Sequence, residues 1–528
     1  MVDLRAQEDI DRALAAKAGG PAAARTPDAE FLRRIWIDLA GTIPTSDQAR
    51  AFLDDKDPAK REKLVDRLLA SPDFARRMEQ AVTVMFLERR GGQNVADAQW
   101  SEYLRKAFAA NEPWEKIVRT MLGVDGREAE TRPAMKFLAD GAGADQHRMT
   151  NDVSRLLLGR NLLCAQCHDH PLIREYKQSE YMGLFAYLSQ TKVQPDPKSK
   201  KPIMVESAAK GKSEYSSVFS PGKKNQTGPR LIGQEEVEIP TFEKGKEYEV
   251  APTKDNPGVP KFRPRELLAE ALVTHARFSR NSVNRFWFLL MGRGLIHPLD
   301  LDHAGNPPSH PELLDALEKD FRETGYDVRR LVRKIVLTEA YQRSSRAAEG
   351  AVPPPSSYRV ALMRPLSAEQ LAWALMRATG TLESIIGAPI PEASKFNLKN
   401  YLNGKGEGPT NLHDVLKFFA DIFGNAPGDP EVDFQPSMTH ALFLMNERLV
   451  LDWLKPRAGN LVERLSKLEA PEAVADELYL SVLTRRPLPE ERAEVAAYLA
   501  KGGKDRRGAA LGELAWALLA SAEFRLNH

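Results

Sequence analysis

A turn-rich stretch from Thr191 to Pro260 interrupts a chain otherwise written in capped amphipathic helices, and this interruption restricts the possible folds more than any other feature of the sequence. Before it, "TPDAEFLRRIWIDLAGTIPT" opens with Thr26-Pro27, a side chain suited to cap a helix followed by proline at the first helical position. Phe31, Ile35 and Leu39 recur every four residues, with Arg33 and Arg34 off that stripe, and Gly41 and Pro44 close the segment. "DPAKREKLVDRLLAS" repeats the pattern with Leu64, Leu68 and Leu69 on the inward face, and Ser71-Pro72 opens another helix. A further helix is expected from about Asn151 towards Cys164, with Val153, Leu156, Leu157 and Leu163 facing inwards. Inside the interruption, "QPDPKSKKP", "SPGKKNQTGP" and "KDNPGVP" are turn text, and the alternating runs "YSSVF", "EEVEI" and "KEYEV" predict a small antiparallel sheet. Helical periodicity returns at Arg263 and continues to the terminal "GELAWALLASAEFRLNH".

The chain therefore reads as mainly α, with two helical domains separated by a small β-rich insert. An N-terminal extension covers 1–25, a helical domain 26–190, the insert 191–260 and a second helical domain 261–528, with a proline-rich linker near 349–357. No fixed-period repeat is present, which argues against a solenoid. The 75 basic and 73 acidic residues nearly cancel, so no nucleic-acid partner is expected. No apolar run approaches the roughly 20 residues needed to cross a bilayer as a helix, so no transmembrane segment is expected. The start, "MVDLRAQEDIDRALAAKAGG", lacks a basic region followed by an apolar core. Two expectations follow: a cytoplasmic protein, or a periplasmic or cell-surface protein whose export signal has been removed.

Both cysteines of the chain fall in one short string, "LLCAQCHDHPLI", as Cys164 and Cys167 with His168 next. C-x-x-C-H is the attachment pattern of c-type haem: two thiols add to the vinyl groups and the histidine ligates the iron. Such attachment takes place on the far side of the bacterial inner membrane. Three other readings stay open. The pair could be a redox dithiol, although such motifs usually follow a strand and this one follows helical text. Cys164, Cys167, His168 and His170 could bind zinc, although four ligands within seven residues strain a tetrahedron. Or the cysteines could simply be core residues.

Pro171 disfavours helix at His170 and turns the chain away. His170 and Asp169 are then candidates for hydrogen bonds around the cofactor, including a propionate contact for His170. His147, Met149 and Met182 are the nearest candidates for a second axial ligand of the iron; each Met reads equally as a core filler and His147 as a surface residue. In the second half, Arg285 and His310 are the best polar candidates for a site, with an ion pair and a helix cap as their structural alternatives. Nothing in the sequence forms a Walker loop, an HExxH zinc motif, a nucleophile elbow or an EF-hand loop, and no catalytic constellation marks the chain as an enzyme.

Longer strings carry a resemblance. "FLRRIWIDLAGTIPTSDQARAFLDD", "KLVDRLLASPDFARR", "LLLGRNLLCAQCHDHP" and "YMGLFAYLSQT" resemble the planctomycete cytochrome C domain family of the second type, a domain of unknown function. "FSRNSVNRFWFLLMGRGLIHPLDLDHAGNPPSHPELLDALEKDF", "RPLSAEQLAWALM", "MTHALFLMNE", "ELYLSVLTRRPLPEER" and "LAWALLASAEFRLNH" resemble its usual companion, the first planctomycete-specific domain family, also of unknown function. The resemblance implies an exported bacterial protein with haem c at Cys164, Cys167 and His168, a role in electron transfer or redox chemistry, and redox partner proteins in the cell envelope. It also marks Asn284, Arg285, Trp287, Gly292, Gly294, Pro308, His310 and Pro311 as the companion family's signature. The chain departs from the first family at 172–176, where an aromatic segment is usual and "LIREY" stands instead. The alternative to a cytochrome is a structural or interaction protein whose C-x-x-C-H-x-H string binds a metal or forms a disulfide.

Overall fold

In the computed structural model the chain is described over residues 7–141, 143, 145–347, 352–389, 396–430, 447–502 and 506–528. It is mainly α-helical, with a small β-containing region around 191–250 and one further two-residue strand pair, Arg364–Pro365 with Leu526–Asn527. No described helix is long and apolar enough to cross a membrane. Residues 349–351 of the expected linker and 438–446 of "MTHALFLMNE" lie outside the described residues.

Counting described residues only, one compact unit draws on Met1–Gly19, Met78–Ile335 and Ala426–Val432, the other on Gly20–Arg77, Val336–Asn425 and Asp433–His528. Each unit thus takes segments from both sides of the insert. The first has an aromatic core: Trp114 packs on Phe86, Phe108 and Phe286 at ring distances of 5.8, 6.4 and 5.3 Å, and its Nε1 donates to Ser282 Oγ at 3.0 Å. Helix Gln7–Ala15, within the stretch read as an extension, buries Ile10 and Leu14 in this unit. The second unit is built around helix Ala368–Thr379, which Ser367 and Gln370 open as a reciprocal capping box.

Helix Asp28–Ala40 belongs to the second unit and departs from its stripe pattern. It starts one residue later than expected, with Pro27 before it and no side-chain cap. Every residue from Phe31 to Ala40 is buried, Arg33 and Arg34 included. Backbone carbonyls make this possible. Arg33 donates to Val482 O and Phe524 O, and Arg34 to Tyr341 O and Arg343 O, so charges off the apolar stripe are satisfied inside the protein. Helix Pro72–Leu87 begins as expected, with Ser71 Oγ accepting from Phe74 N at 3.3 Å.

The insert is three separate antiparallel hairpins, not one sheet. Thr191–Pro195 pairs with Pro202–Glu206 across a turn that Asp196 makes by accepting from Lys198 N and Ser199 N at 3.0 and 2.7 Å. Ser213–Tyr215 pairs with Asn225–Thr227, and Tyr248–Val250 with Val259–Pro260. The run "EEVEI" is no strand. Its Glu236 is drawn to Lys212 and Thr227 Oγ1 at 2.6 and 2.8 Å, and Val237 N is spent on Pro229 O. Of "YSSVF" only Tyr215 pairs in the ladder, and the remainder leaves the hairpin.

Candidate functional site

The motif hangs from a stem built by two parts of the first unit. Helix Gln146–Asp152 continues as a wider turn over Val153–Leu157 and ends there, short of the cysteines. Gly159, at φ +71°, reverses the chain. Helix Ala276–Met291 grips this segment: Asn281 Nδ2 donates to Leu156 O at 2.7 Å and Arg285 Nη2 to Arg155 O at 2.9 Å. The loop that follows that helix continues the grip, with Asp302 N on Gly159 O at 3.0 Å and Asn161 N on Asp300 O at 2.8 Å. The expected helix up to Cys164 is therefore corrected. Leu162 is buried, but Leu163 faces out at 56% exposure, because a new 3₁₀ turn over Leu163–Gln166 restarts the chain after the reversal.

That turn explains the C-x-x-C spacing. A 3₁₀ helix has three residues per turn, so side chains at i and i+3 share an edge. Ala165 is buried on the inner side, while Cys164 and Cys167 are both free and exposed. Next to them, His168 Nδ1 lies 2.7 Å from Asp169 O. A carbonyl oxygen only accepts, so Nδ1 carries the proton and the neutral ring presents the Nε2 lone pair. The two downstream residues have local partners. His170 Nδ1 accepts from Leu172 N and Ile173 N at 3.2 and 3.0 Å, which puts the proton of its neutral ring on Nε2. Asp169 accepts from Gln178 N at 2.9 Å and from Lys177 Nζ at 3.0 Å, so it caps helix Gln178–Leu188 from outside. Burial raises the Asp169 carboxyl, but the Gln178 N–H, Lys177 and the His168 ring outweigh it and hold the pKa below the usual carboxylate range.

Asp169→Ala is expected to loosen that helix start by about 1 kcal/mol. The Asp169 contribution is present above the unfolded carboxylate pKa and fades as pH falls through the lower folded value. Urea titrations of wild type and variant should therefore converge only in acid; a constant difference down to pH 2.5 would contradict the assignment.

The insert contributes residues that sequence patterns did not single out. Gln178 Nε2 donates to both Gln166 O and Ser216 O, at 3.2 and 3.1 Å, and Val218 N donates to Cys167 O at 3.1 Å. Phe219 brings its ring to 4.9 Å from that of His168. Together with Asp169, Gln178, Tyr215 and Lys223 these rings border a cleft of about 350 Å³. Val218 and Phe219 are 59% and 78% exposed, and Leu172 is 88% exposed. With Leu163, four large apolar side chains stand in water in and around a motif of two thiols and an imidazole.

Met149 and Met182 are buried. His147 stacks on Phe185 at 4.4 Å and its Nδ1 meets Tyr181 Oη at 2.8 Å. Burial, then Asp145 and Cys167, push the Tyr181 hydroxyl pKa well up, which sets this pair within electrostatic reach of the motif. Tyr176, the one aromatic residue at 172–176, is buried and meets the His170 ring edge-on at 5.8 Å. Arg285 is paired with Asp300, and His310 is buried at the start of helix Pro311–Glu323, where burial and Lys17 lower its pKa against a bond that the ring donates to the Leu14 backbone. Arg285 acts in the stem of the motif. Among the described residues, no group of three or more His, Cys, Asp or Glu side chains converges as a metal site.

Two family models match the chain. Residues 9–193 match PSCyt2, a protein of unknown function (DUF1549), and residues 264–499 match PSD1, a protein of unknown function (DUF1553). No curated protein and no solved structure matches it. The two matches stand in the order that the resemblance implies, PSCyt2 at 9–193 and PSD1 at 264–499.

Proposed function

We propose that this protein carries one haem of the c type, bound covalently through Cys164 and Cys167 with His168 as an axial ligand, and that it transfers electrons to partners in the cell envelope. The observation that carries the reading is the state of His168: its Nδ1 proton is committed to Asp169 O, which leaves Nε2 as a ligand beside two exposed thiols on one edge of a turn. Leu163, Val218 and Phe219 supply apolar surface that a porphyrin would cover. The haem would supply a one-electron redox centre. The chain's own residues hold the imidazole in one tautomer, fix the thiols in register through Gln178, and keep the edge of the site open to solvent. Attachment chemistry of this kind implies export, so the periplasm or the cell surface is the compartment that fits.

The test is to make the protein in the periplasm of cells that have c-type maturation machinery, then record intact mass and absorption. The expected product is one covalent haem adduct with a Soret band, and the Cys164→Ala/Cys167→Ala double variant should lose both. Colourless protein of unmodified mass from competent cells would overturn the proposal. The i, i+3 placement of the thiols also suits a reversible disulfide. Loss of two mass units without colour would favour that second reading.

A further inference from the structure

A cavity of about 870 Å³ opens in the second unit, away from the cysteines in sequence and in the fold unit to which it belongs. Its volume lies in the range of small-molecule sites. Part of the wall is aliphatic, with Pro27, Leu53, Met363, Leu483, Leu488 and Leu526; the rest is polar or charged, and no Phe, Tyr or Trp lines it. Met363 and Leu488 are 61% and 50% exposed.

One charged residue of the wall is out of balance. Arg33 is 1% exposed and lines the cavity. Its Nη1 donates to Val482 O at 3.3 Å and its Nη2 to Phe524 O, and its Nε has no hydrogen-bond partner. Among the described residues no carboxylate pairs with it. Glu523, the acid that acts on it electrostatically, has both oxygens on Arg485, at 2.6 and 3.0 Å. Glu30, the other acid of the wall, is held by Arg34 at 2.8 Å. Burial draws the Arg33 guanidinium down to about 10 against the pull of Glu523, but it remains charged near neutral pH. Two carbonyls and the Phe524 ring, whose centroid is 5.5 Å from Cζ, hold this buried guanidinium, and neither supplies the counter-charge that such groups ordinarily have. Arg485 and Arg486 of the same wall are paired with carboxylates, and Arg346, exposed there, adds further positive charge.

We propose that this cavity is a binding site for an aliphatic monocarboxylate, with the carboxylate paired to Arg33 and the hydrocarbon chain lying along the leucine- and methionine-lined wall. The site is independent of the haem reading, since none of its residues belongs to the motif or its stem.

Calorimetric titration of the whole chain with decanoate and with 1-decanol, both below their aggregation limits, tests this. The expected result is one decanoate site, with the alcohol at least tenfold weaker. Arg33→Gln should weaken decanoate at least tenfold. Because Arg33 also bonds two carbonyls, a second variant is needed: Leu53→Trp narrows the cavity from a different helix, Ser46–Asp54, with no change at Arg33, and should weaken decanoate by a similar factor. No decanoate binding at millimolar concentration, equal binding of acid and alcohol, or full affinity in both variants would each overturn the proposal.

Discussion

Arg155→Met is expected to lower the stability of the first unit by about 3–5 kcal/mol, the usual cost of removing one partner from a buried ion pair. Arg155 sits at the centre of a six-membered charge cluster. Its Nη2 meets Glu88 Oε2 at 2.8 Å and Asp152 Oδ1 at 3.2 Å, and its Nη1 meets Asp300 Oδ2 at 3.4 Å. Arg90 bridges Asp152 and Glu88 at 2.7 and 3.1 Å, and Arg285 closes the ring on Asp300. Three guanidinium groups thus balance three carboxylates, with Glu88 and Asp152 at 2% and 3% exposure. Methionine would keep much of the volume and leave one negative charge without compensation. Burial opposes the charge on Arg155, but bonds to Glu88 and the charges of Asp300 and Asp152 raise its pKa above the ordinary value. A raised folded pKa gives stability that is fully present below the unfolded pKa, so this contribution does not fade as pH rises above neutral; it needs ionised Glu88, Asp152 and Asp300, so acid weakens it. Urea unfolding followed by near-ultraviolet circular dichroism, which reports the Trp114 cluster, is the measurement. Adding Glu88→Leu to Arg155→Met should return part of the loss, since an apolar pair needs no counter-charge. A loss below 1 kcal/mol in the single variant would contradict the cluster's role.

This cluster joins residues far apart in sequence, which local patterns do not connect. Arg285 stood out in a family signature and its alternatives were a site residue or an ion pair. The structure makes it an ion pair, but one that holds the motif-bearing stem through Arg155 O. Nothing in local periodicity connects Arg285 with residues 130 positions earlier. Local signals did succeed where the physics was local. Ser71-Pro72 opened its helix, and Leu64, Leu68 and Leu69 faced inwards. They failed where a distant backbone satisfied a polar group. Arg33 and Arg34 lie off the apolar stripe, yet they are buried and carbonyls from far along the chain take their donors. The same holds at the site itself. The presence of Cys164, Cys167 and His168 was plain from their order. That Gln178 and the Ser216–Phe219 segment would close over them was not, because the insert reads as lysine-rich turns and its contact to Cys167 O is a backbone bond with no side-chain signature.

Gly159→Val is expected to cost about 2–5 kcal/mol, and the reason is separable by experiment. At φ +71° the backbone occupies the left-handed region, which costs a residue with a Cβ about 1–2 kcal/mol. A Cβ there would also stand 2.9 Å from Asn281 Oδ1 and 3.3 Å from its Cγ. Asn281 cannot yield freely, because its Nδ2 is committed to Leu156 O at 2.7 Å inside the protein, and a lost buried bond of this kind costs about 1–3 kcal/mol. The two effects predict strong coupling. Asn281→Ala alone should destabilise by about 1–3 kcal/mol through the orphaned Leu156 carbonyl. In the double variant the clash is gone, so the combined loss should fall short of the sum by about 0.5–3 kcal/mol. Strict additivity would mean that Gly159 is required for its backbone angle alone and that helix Ala276–Met291 does not depend on close approach to the stem. Coupling of the expected sign would show that the companion-domain helix and the turn before Cys164 are fitted to one another by contact, which is the physical sense in which the two halves of this chain build a single site.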